Sequence, residues 1–545
     1  MHGYLKDAGA DVGDKYVGKD YFPGVWDSEY IMSNQKEFTD MLSKYQHNGD
    51  FHGDPTATME KIIANDGNEF GVDDNVHATS KPGLAASKLR TLDFISPEDR
   101  AKFSSKNLLG TLNSYVTQAT KRAEWARRMG TDNAHLNAHF AEARSMGASE
   151  ADIAKVNKYL DGVKGTLGSD ISPTLRRVNS GMMVYQNISK LPLAIFSLAA
   201  DPLQIMVRGG GLSDALSAYK RGVSEVKKSF TNVKDDEWTT IAKSIGVNDD
   251  PTLVHALGSS YSQGITGNLA TKANNMFFKY NMMEQMVTSM RTSATQAAFG
   301  FLASHADGTK SVHSARWLDE LGLKPGEVKV GKDGRPLYTT QDFLDAGHNP
   351  ASAAAASLKI KGAINKWVDG AVLRPNAAHK PVWMNDPHYA LFAHLKQFMY
   401  SFHETVLKRV GNELAHGNYS PALALMSYVP IMIAADAAKG ALLTGGGVPS
   451  YEKDWGVGDY LEHGVERSSL YSIGQFGLDA YNNVKHGGTG VEALLGPTAE
   501  QGIDALRTLG GREEFSKFAM DSLPLSPIMK ALSHSELTPD SMYAE

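Results

Sequence analysis

Apolar positions along the chain change texture near Lys81-Pro82-Gly83. Before it, Gly, Asp, Asn and His are frequent and little periodicity is sustained, which predicts an irregular, turn-rich module over 1–83. One island of order is YFPGVWDSEYIMSNQKEFTDMLSKY. There Pro23 and Gly24 make a turn, Asp27 or Ser28 supplies an N-cap, and Phe38, Met41, Leu42 and Tyr45 recur at helical spacing. NGDFHGDPTATMEKIIANDG holds one further short helix. Beyond 83 the periods lengthen. Ser96 as N-cap, Pro97 at the first helical position, and Glu98 and Asp99 in the first turn open a helix. Its stripe, Phe103, Leu108, Leu112, Tyr115, Ala119 and Trp125, predicts one long helix as far as Arg128. Ser149 caps another helix, with Ile153, Val156 and Leu160 on one side. A third opens at SPTLRR and is strongly apolar from Leu191 to Val207, with Asp201-Pro202 as a break or kink.

Further helices are predicted in ATKANNMFFKYNMMEQMVTSMRTSATQAAFGFLASHA, ASAAAASLKIKGAINKWVDGAVL and DPHYALFAHLKQFMYSFHETVLKRVGNELAHG. In the last, Leu391, Leu395, Phe398, Phe402, Val406, Val410 and Leu414 keep one side apolar. EVKVGKDGRPLYTT reads as a small hairpin around Asp333-Gly334. From Tyr451 glycine-rich turns alternate with short helices such as GPTAEQGIDALRTLGG. The fold expected is mainly α, an elongated multi-helix assembly with an irregular N-terminal module and one small β-hairpin. Its divisions fall at 1–83, 84–310 with the apolar segment 191–207, a hairpin-containing connector 311–350, 351–447 with a membrane-like segment 421–443, and a Gly-rich region 448–545.

SPALALMSYVPIMIAADAAKGALLTGGG, starting at Ser420, stands out because it has no charge from Pro421 to Ala435. At ~1.5 Å per residue such a helix could just cross a hydrocarbon core ~30 Å thick. Pro430, Asp436 and Lys439 oppose that, and the two charges, three residues apart, can pair on one face. A buried core helix is the preferred reading over a membrane span. Both of the most apolar segments run into a triple glycine: Gly209, Gly210 and Gly211, and Gly445, Gly446 and Gly447. These are candidates for helix ends or hinges.

Charge and composition narrow the chemistry. Fifty-five Lys and Arg against 61 Asp and Glu give a net charge of −6, so any nucleic-acid contact is local. There is no cysteine, which excludes disulfides, thiolate zinc sites and cysteine nucleophiles. MHGYLKDAGADVG lacks the features of a secretory signal, which predicts synthesis in a cytoplasm. Phosphate-loop, zinc-helix, nucleophile-elbow and dinucleotide motifs are missing. His135, His139 and Glu142 have ligand spacing on a helix but lack a third partner, so a solvated face is preferred. Asp235-Asp236-Glu237 and Asp249-Asp250 read as caps and loops. Lys121-Arg122, Arg127-Arg128, Lys220-Arg221 and Lys227-Lys228 read as solvated faces. The histidines His379, His388, His394, His403 and His416 share no stripe. Met276, Met282, Met283, Met286 and Met290 suggest an adaptable packing surface, with core the preferred reading. No catalytic residue, metal ligand or cofactor is assigned.

Four blocks, YFPGVWDSEYIMSNQKEF, LRTLDFISPEDRAKF with SYVTQATKRAEWARRMG, LPLAIFSLAADPLQIMVRGGGLSDALSAYKRG, and RPNAAHKPVWMNDPHYALFAHLKQFMYSFHETVLKRV, occur in this order between Tyr21 and Val410. In them the chain resembles the helical region of large phage virion-associated internal or ejection proteins. The resemblance implies a structural component stored inside the virion that leaves with or before the genome. It further implies assembly with copies of itself and other virion proteins, contact with the host membrane in the cell envelope, and transient contact with phage DNA. No catalytic residue carries over. Candidate membrane contacts are Leu193, Phe196, Leu203, Leu425, Val429, Ile431 and Ile433. Gly3 to Asp14 reads as the end of something, which suits one product of a split set or a piece of a longer polypeptide with an enzyme upstream. The alternatives are a cell-wall-degrading virion enzyme and a nucleic-acid-associated packaging or portal-region protein.

Overall fold

The computed structural model describes most residues within 26–64, 92–130, 133–228, 236–248, 273–373, 380–444 and 453–471. The fold is mainly α, with no sheet among the described residues. Two compact units are present, the first formed mainly by the chain up to Gly181 and the second by most of the chain from Met182 onward.

In the first unit, α1 (Ser28–Ser33), α2 (Gln35–His47), α3 (Pro55–Ala64) and α4 (Pro97–Phe103) enclose a small core of Trp26, Phe38, Leu42, Phe51, Ile62 and Phe103. Asp27 is the N-cap of α1, accepting from the Tyr30 amide at 2.9 Å, and Ser96 caps α4 through the Asp99 amide at 3.1 Å. Each such cap is worth roughly 1 kcal/mol. The N-terminal module is therefore more helical than its composition suggests, and its core crosses residue 83 to take in Leu92, Ile95 and Phe103. The long helix expected from Ser96 stops at Phe103. Ser104 is extended and pairs with Trp26, the Asp27 amide donates to the Phe103 carbonyl at 2.7 Å, and the Phe103 ring packs edge-on against Phe38. The Leu108, Leu112 and Tyr115 part of that stripe lies outside the described residues. α5 (Ala134–Ser145) has no buried residue, and α6 (Glu150–Lys164) buries Ile153 but leaves Val156 exposed. Ser149 and Asp152 bond reciprocally at the start of α6.

α7 (Pro173–Lys190) leads from the first unit into the second. The second unit continues with α8 (Gln204–Val207), α9 (Leu212–Lys228), α10 (Glu237–Ile245), α11 (Met283–His305), α12 (Ser314–Glu320), α13 (Thr340–Asp345) and α14 (Pro350–Ala371). α11 is its axis: Met290, Ala294, Ala298 and Leu302 are fully buried against Ile364 and Trp367 of α14. The methionine-rich helix is interrupted: Met276 is helical, but Met282 adopts a left-handed conformation (φ 65°) and α11 starts after it. Residues 311–350 are part of this core and not a connector, since Leu318, Leu321, Leu323 and Phe343 join it. The expected hairpin reduces to one antiparallel bridge, Val330 with Pro336, closed by the Gly331 amide on the Arg335 carbonyl at 2.8 Å. Proline at 336 offers no amide to extend the ladder.

The last stretch holds α15 (Ala390–Ala393), α16 (Gln397–Phe402), α17 (Lys408–Ala415), α18 (Ser420–Met426), α19 (Tyr428–Leu443) and α20 (Val457–Arg467). The single helix expected over 387–416 is in pieces, and a π turn over His403–Leu407 joins α16 to α17. Phe402, Val406 and Val410 are still buried together, whereas Leu414 is exposed.

Candidate functional site

The two apolar segments singled out in the sequence meet in one cluster within the second unit. Pro192 removes the amide that would continue α7, and the chain turns by 80° before the 3-10 turns Ala194–Leu198 and Asp201–Leu203 lead into α8. α8 ends in a Schellman pattern: the Gly210 amide donates to the Ile205 carbonyl at 2.9 Å and the Gly209 amide to Met206 at 3.0 Å. Gly209 has φ +91°, and a Cβ on Gly210 would lie 2.6 Å from Ile205. The Gly211 amide then donates to Asp214 at the start of α9. The first glycine triplet is thus a hydrogen-bonded helix end, while Gly445, Gly446 and Gly447 lie outside the described residues.

α18 and α19 together make a nearly continuous helix of 24 residues, Ser420–Leu443, with a mean hydropathy of 1.5 over its most apolar window. Pro430 does not break it. It falls in the first turn of α19, and the interruption its ring imposes is taken up at Ser427, whose hydroxyl donates to the Ala424 carbonyl at 2.6 Å. Ala424, Leu425, Tyr428 and Met432 face inward, against Leu203 and Val207 of the first apolar segment and Phe402 and Val406 of the π-containing helix.

Beneath Tyr428 sits a buried carboxyl. Asp201 is 7% exposed and accepts one side-chain hydrogen bond, from Gln204 Nε2 at 3.2 Å. Burial with so little compensation pushes it up from 3.8 to about 7. The Tyr219 and Tyr428 phenols are the titratable groups close enough to feel it, and Tyr219 donates to the Ala199 carbonyl at 2.6 Å.

On its flank α19 is covered by α20. Gly464 allows the close approach, since a Cβ there would lie 2.5 Å from Ile433 and 3.1 Å from Val429. Asp436 does not form the expected pair with Lys439. It turns to α20, where His463 Nε2 lies at 2.7 Å and Arg467 Nε at 3.7 Å.

A network of charges clamps the neighbouring elements. Glu320 receives Arg208 at 2.7 Å and Arg409, while Glu413 accepts from Arg316 at 2.8 Å, Trp317 at 2.9 Å and Asn418 at 2.8 Å. Burial would raise the Glu413 carboxyl, but Arg316, Asn418, Trp317 and Arg409 outweigh it and hold it at about 2. Burial and the like charge of Arg409 lower Arg208 to about 10. No sequence motif announces this network, because its members are separated by up to about two hundred positions.

The proposed membrane contacts divide. Leu203 and Leu425 are buried, and Leu193, Phe196, Val429, Ile431 and Ile433 are half-buried. Sequence reasoning passed over Leu423, Met426 and Leu442, which are exposed on the same helix. Their helical spacing was the available signal, but burial of one side could not be assigned without knowing what α18 and α19 pack against.

Elsewhere, His135 and His139 lie on exposed α5, and no group of three His, Asp or Glu suited to a metal occurs among the described residues. Asp236 caps α10 by accepting from the Thr239 amide at 2.8 Å, and Glu237 pairs with Arg335. Asp235, Asp249, Asp250 and His379 lie outside the described residues. His394 is the buried member of its histidine group. No known protein family, curated protein or solved structure matches the chain.

Proposed function

We propose that this chain is a structural internal or ejection protein of a phage virion, without catalytic chemistry of its own. In this reading it is synthesised in the host cytoplasm and stored in the particle with copies of itself and other virion proteins. It is then delivered to the host envelope, where it contacts the membrane and helps to form the route for the genome. Any contact with that genome is local and transient, given the net charge of −6. The four sequence blocks motivate the reading, and one structural observation carries it. Only 33% of the most apolar window of Ser420–Leu443 is buried, although the segment is long and apolar enough to cross a membrane. A core helix of comparable hydropathy in a soluble protein is mostly covered.

Mass spectrometry of purified particles before and after triggered ejection tests this. The chain is expected in full particles and depleted from emptied ones. Its absence from full particles overturns the reading. Muralytic activity of the purified chain, abolished by a single Glu→Gln change, would replace it with the enzymatic alternative.

A further inference from the structure

The outer face of α18 and α19 is a single uncharged stripe. Tyr419, Leu423, Met426, Pro430 and Ala434 are all exposed and succeed one another at spacings of three or four residues. Tyr419, Leu423 and Met426 are 67%, 66% and 67% exposed, more than a scattered surface leucine requires. The charges of the helix lie off this row: Asp436 is held on the flank by His463 and Arg467, and Lys439 is half-buried.

We infer that this stripe is the face by which the folded chain docks, lying in the plane of the surface, onto the acyl region of a lipid bilayer. The inference rests on the membrane contact proposed above and adds the face and the orientation. Three observations favour lipid over a protein partner. From Leu423 to Ala434 the stripe carries no polar side chain, whereas a protein interface presents Arg or aromatic anchors and regular hydrogen bonds. Leu, Met, Pro and Ala in a row roughly 16 Å long match a surface that asks only for apolar area. Tyr419 stands at one end, where an amphipathic ring suits the headgroup level.

Lying in the plane is dictated by the opposite side. Leu425, Tyr428 and Met432 remain packed on Phe402 and Val406, and Asp436 stays on the covered flank. Crossing the bilayer would strip that packing away and carry Asp436 into hydrocarbon. The candidates Leu203 and Leu425 point inward and take no part in docking.

The test is flotation of the full chain with vesicles of equal phosphatidylethanolamine and phosphatidylglycerol. It compares wild type, the double variant Leu423→Glu with Met426→Glu, and the control Val312→Glu at a 94% exposed position outside the stripe. Wild type and control should float, and the double variant should partition at least ~10-fold more weakly while keeping its circular dichroism. If all three float alike, membrane contact stands and the stripe is overturned as its face. If wild type does not float, the contact itself fails and the inference falls with it.

Sedimentation without lipid provides a further check. A wild-type dimer that the double variant converts to monomer makes the stripe an interface between copies and overturns the inference. Should the double variant misfold, Met426→Cys decides. The chain has no other cysteine, so an environment-sensitive dye placed there should shift to the blue on vesicles, and an unchanged spectrum overturns the proposal.

Discussion

Asp201→Asn should stabilise the protein, and only above a defined pH. The carboxyl is buried near Tyr219 and Tyr428 with a single side-chain hydrogen bond from Gln204, and its pKa rises from 3.8 to about 7. Below pH 4 both the folded and the unfolded chain hold the proton, so the group makes no difference. Between pH 4 and pH 7 the unfolded chain releases its proton while the folded chain keeps it. The unfolded state then binds fewer protons and stability falls as pH rises. Above pH 7 both states are ionised and the penalty levels off. A rise of about three pKa units corresponds to about 4 kcal/mol, of which local relaxation and water entry leave about 2–4 kcal/mol to be recovered. Asn has nearly the same shape, can still meet Gln204, and carries no charge. Denaturant titrations of the full chain, monitored by tryptophan fluorescence at pH 4 and pH 8, provide the assay. All other titrating groups cancel in the difference between variant and wild type. An advantage of about 2–4 kcal/mol at pH 8 that vanishes at pH 4 is expected. An advantage independent of pH, or a loss at pH 8, would show that Asp201 is solvated or paired in the folded state.

Other substitutions test the surrounding packing. Gly464→Val should drive a side chain into Ile433 and Val429, lift α20 and expose Asp436. Faster limited proteolysis within 453–471 is expected, at a cost of about 1–3 kcal/mol, and an unchanged cleavage pattern would contradict the close contact. Glu413→Gln should cost about 3 kcal/mol at neutral pH, because Arg316 loses its carboxylate partner while Arg409 keeps only Glu320. Since that carboxyl is held at about 2, its contribution in wild type is full above the ordinary value of 4.5 and is lost as pH falls toward 2. The difference in thermal midpoint between the two proteins should therefore narrow in acid, and a constant difference from pH 7 to pH 2 would refute the ion-pair account. Gly209→Ala should destabilise by at least about 1 kcal/mol, through its positive φ and a Cβ that would lie 3.1 Å from the Phe301 ring, read as a fall in denaturation midpoint. Gly210→Ala should cost more, since its Cβ meets Ile205.

Local signals were legible in the sequence wherever a short stretch determines its own structure. Asp27, Ser96 and Ser149 cap the helices they were expected to cap and the first glycine triplet ends a helix, whereas the break expected at Asp201-Pro202 falls instead between Lys190 and Ala194, where the chain turns by 80°. The packing partners of a segment were not legible. The stripe from Phe103 to Trp125 has one period, yet the chain leaves the helix at Phe103 because that ring is claimed by Phe38 and Trp26. Val156 keeps the spacing of a buried face but is exposed. Asp436 and Lys439 are close in sequence, and a helix that begins fourteen residues after the end of α19 supplies the stronger partners. The Arg208, Glu320, Arg409 and Glu413 network is the extreme case, for no periodicity joins residues that only tertiary packing brings together.

The preference for a core helix over a membrane span treated burial as a property of the whole segment, and the structure divides it by face. One side of Ser420–Leu443 packs like a core helix, and the other is left in water with more apolar area than a soluble surface helix usually carries. Such a helix is held in solution only as firmly as its inner side is held. Near Tyr428 of that inner side lies Asp201, a buried acid whose ionisation opposes folding. A fold selected for stability alone could place a leucine or an asparagine there. Retaining Asp weakens the grip on α19 at pH 7 and above by the few kcal/mol that its ionisation costs, while Glu413 and its arginines keep the neighbouring helices clamped. Ionisation of Asp201 is thus expected to loosen the packing of α18 and α19 near neutral pH. Hydrogen exchange there should slow in the Asp201→Asn variant at pH 8 while exchange in α11 and α14 stays the same.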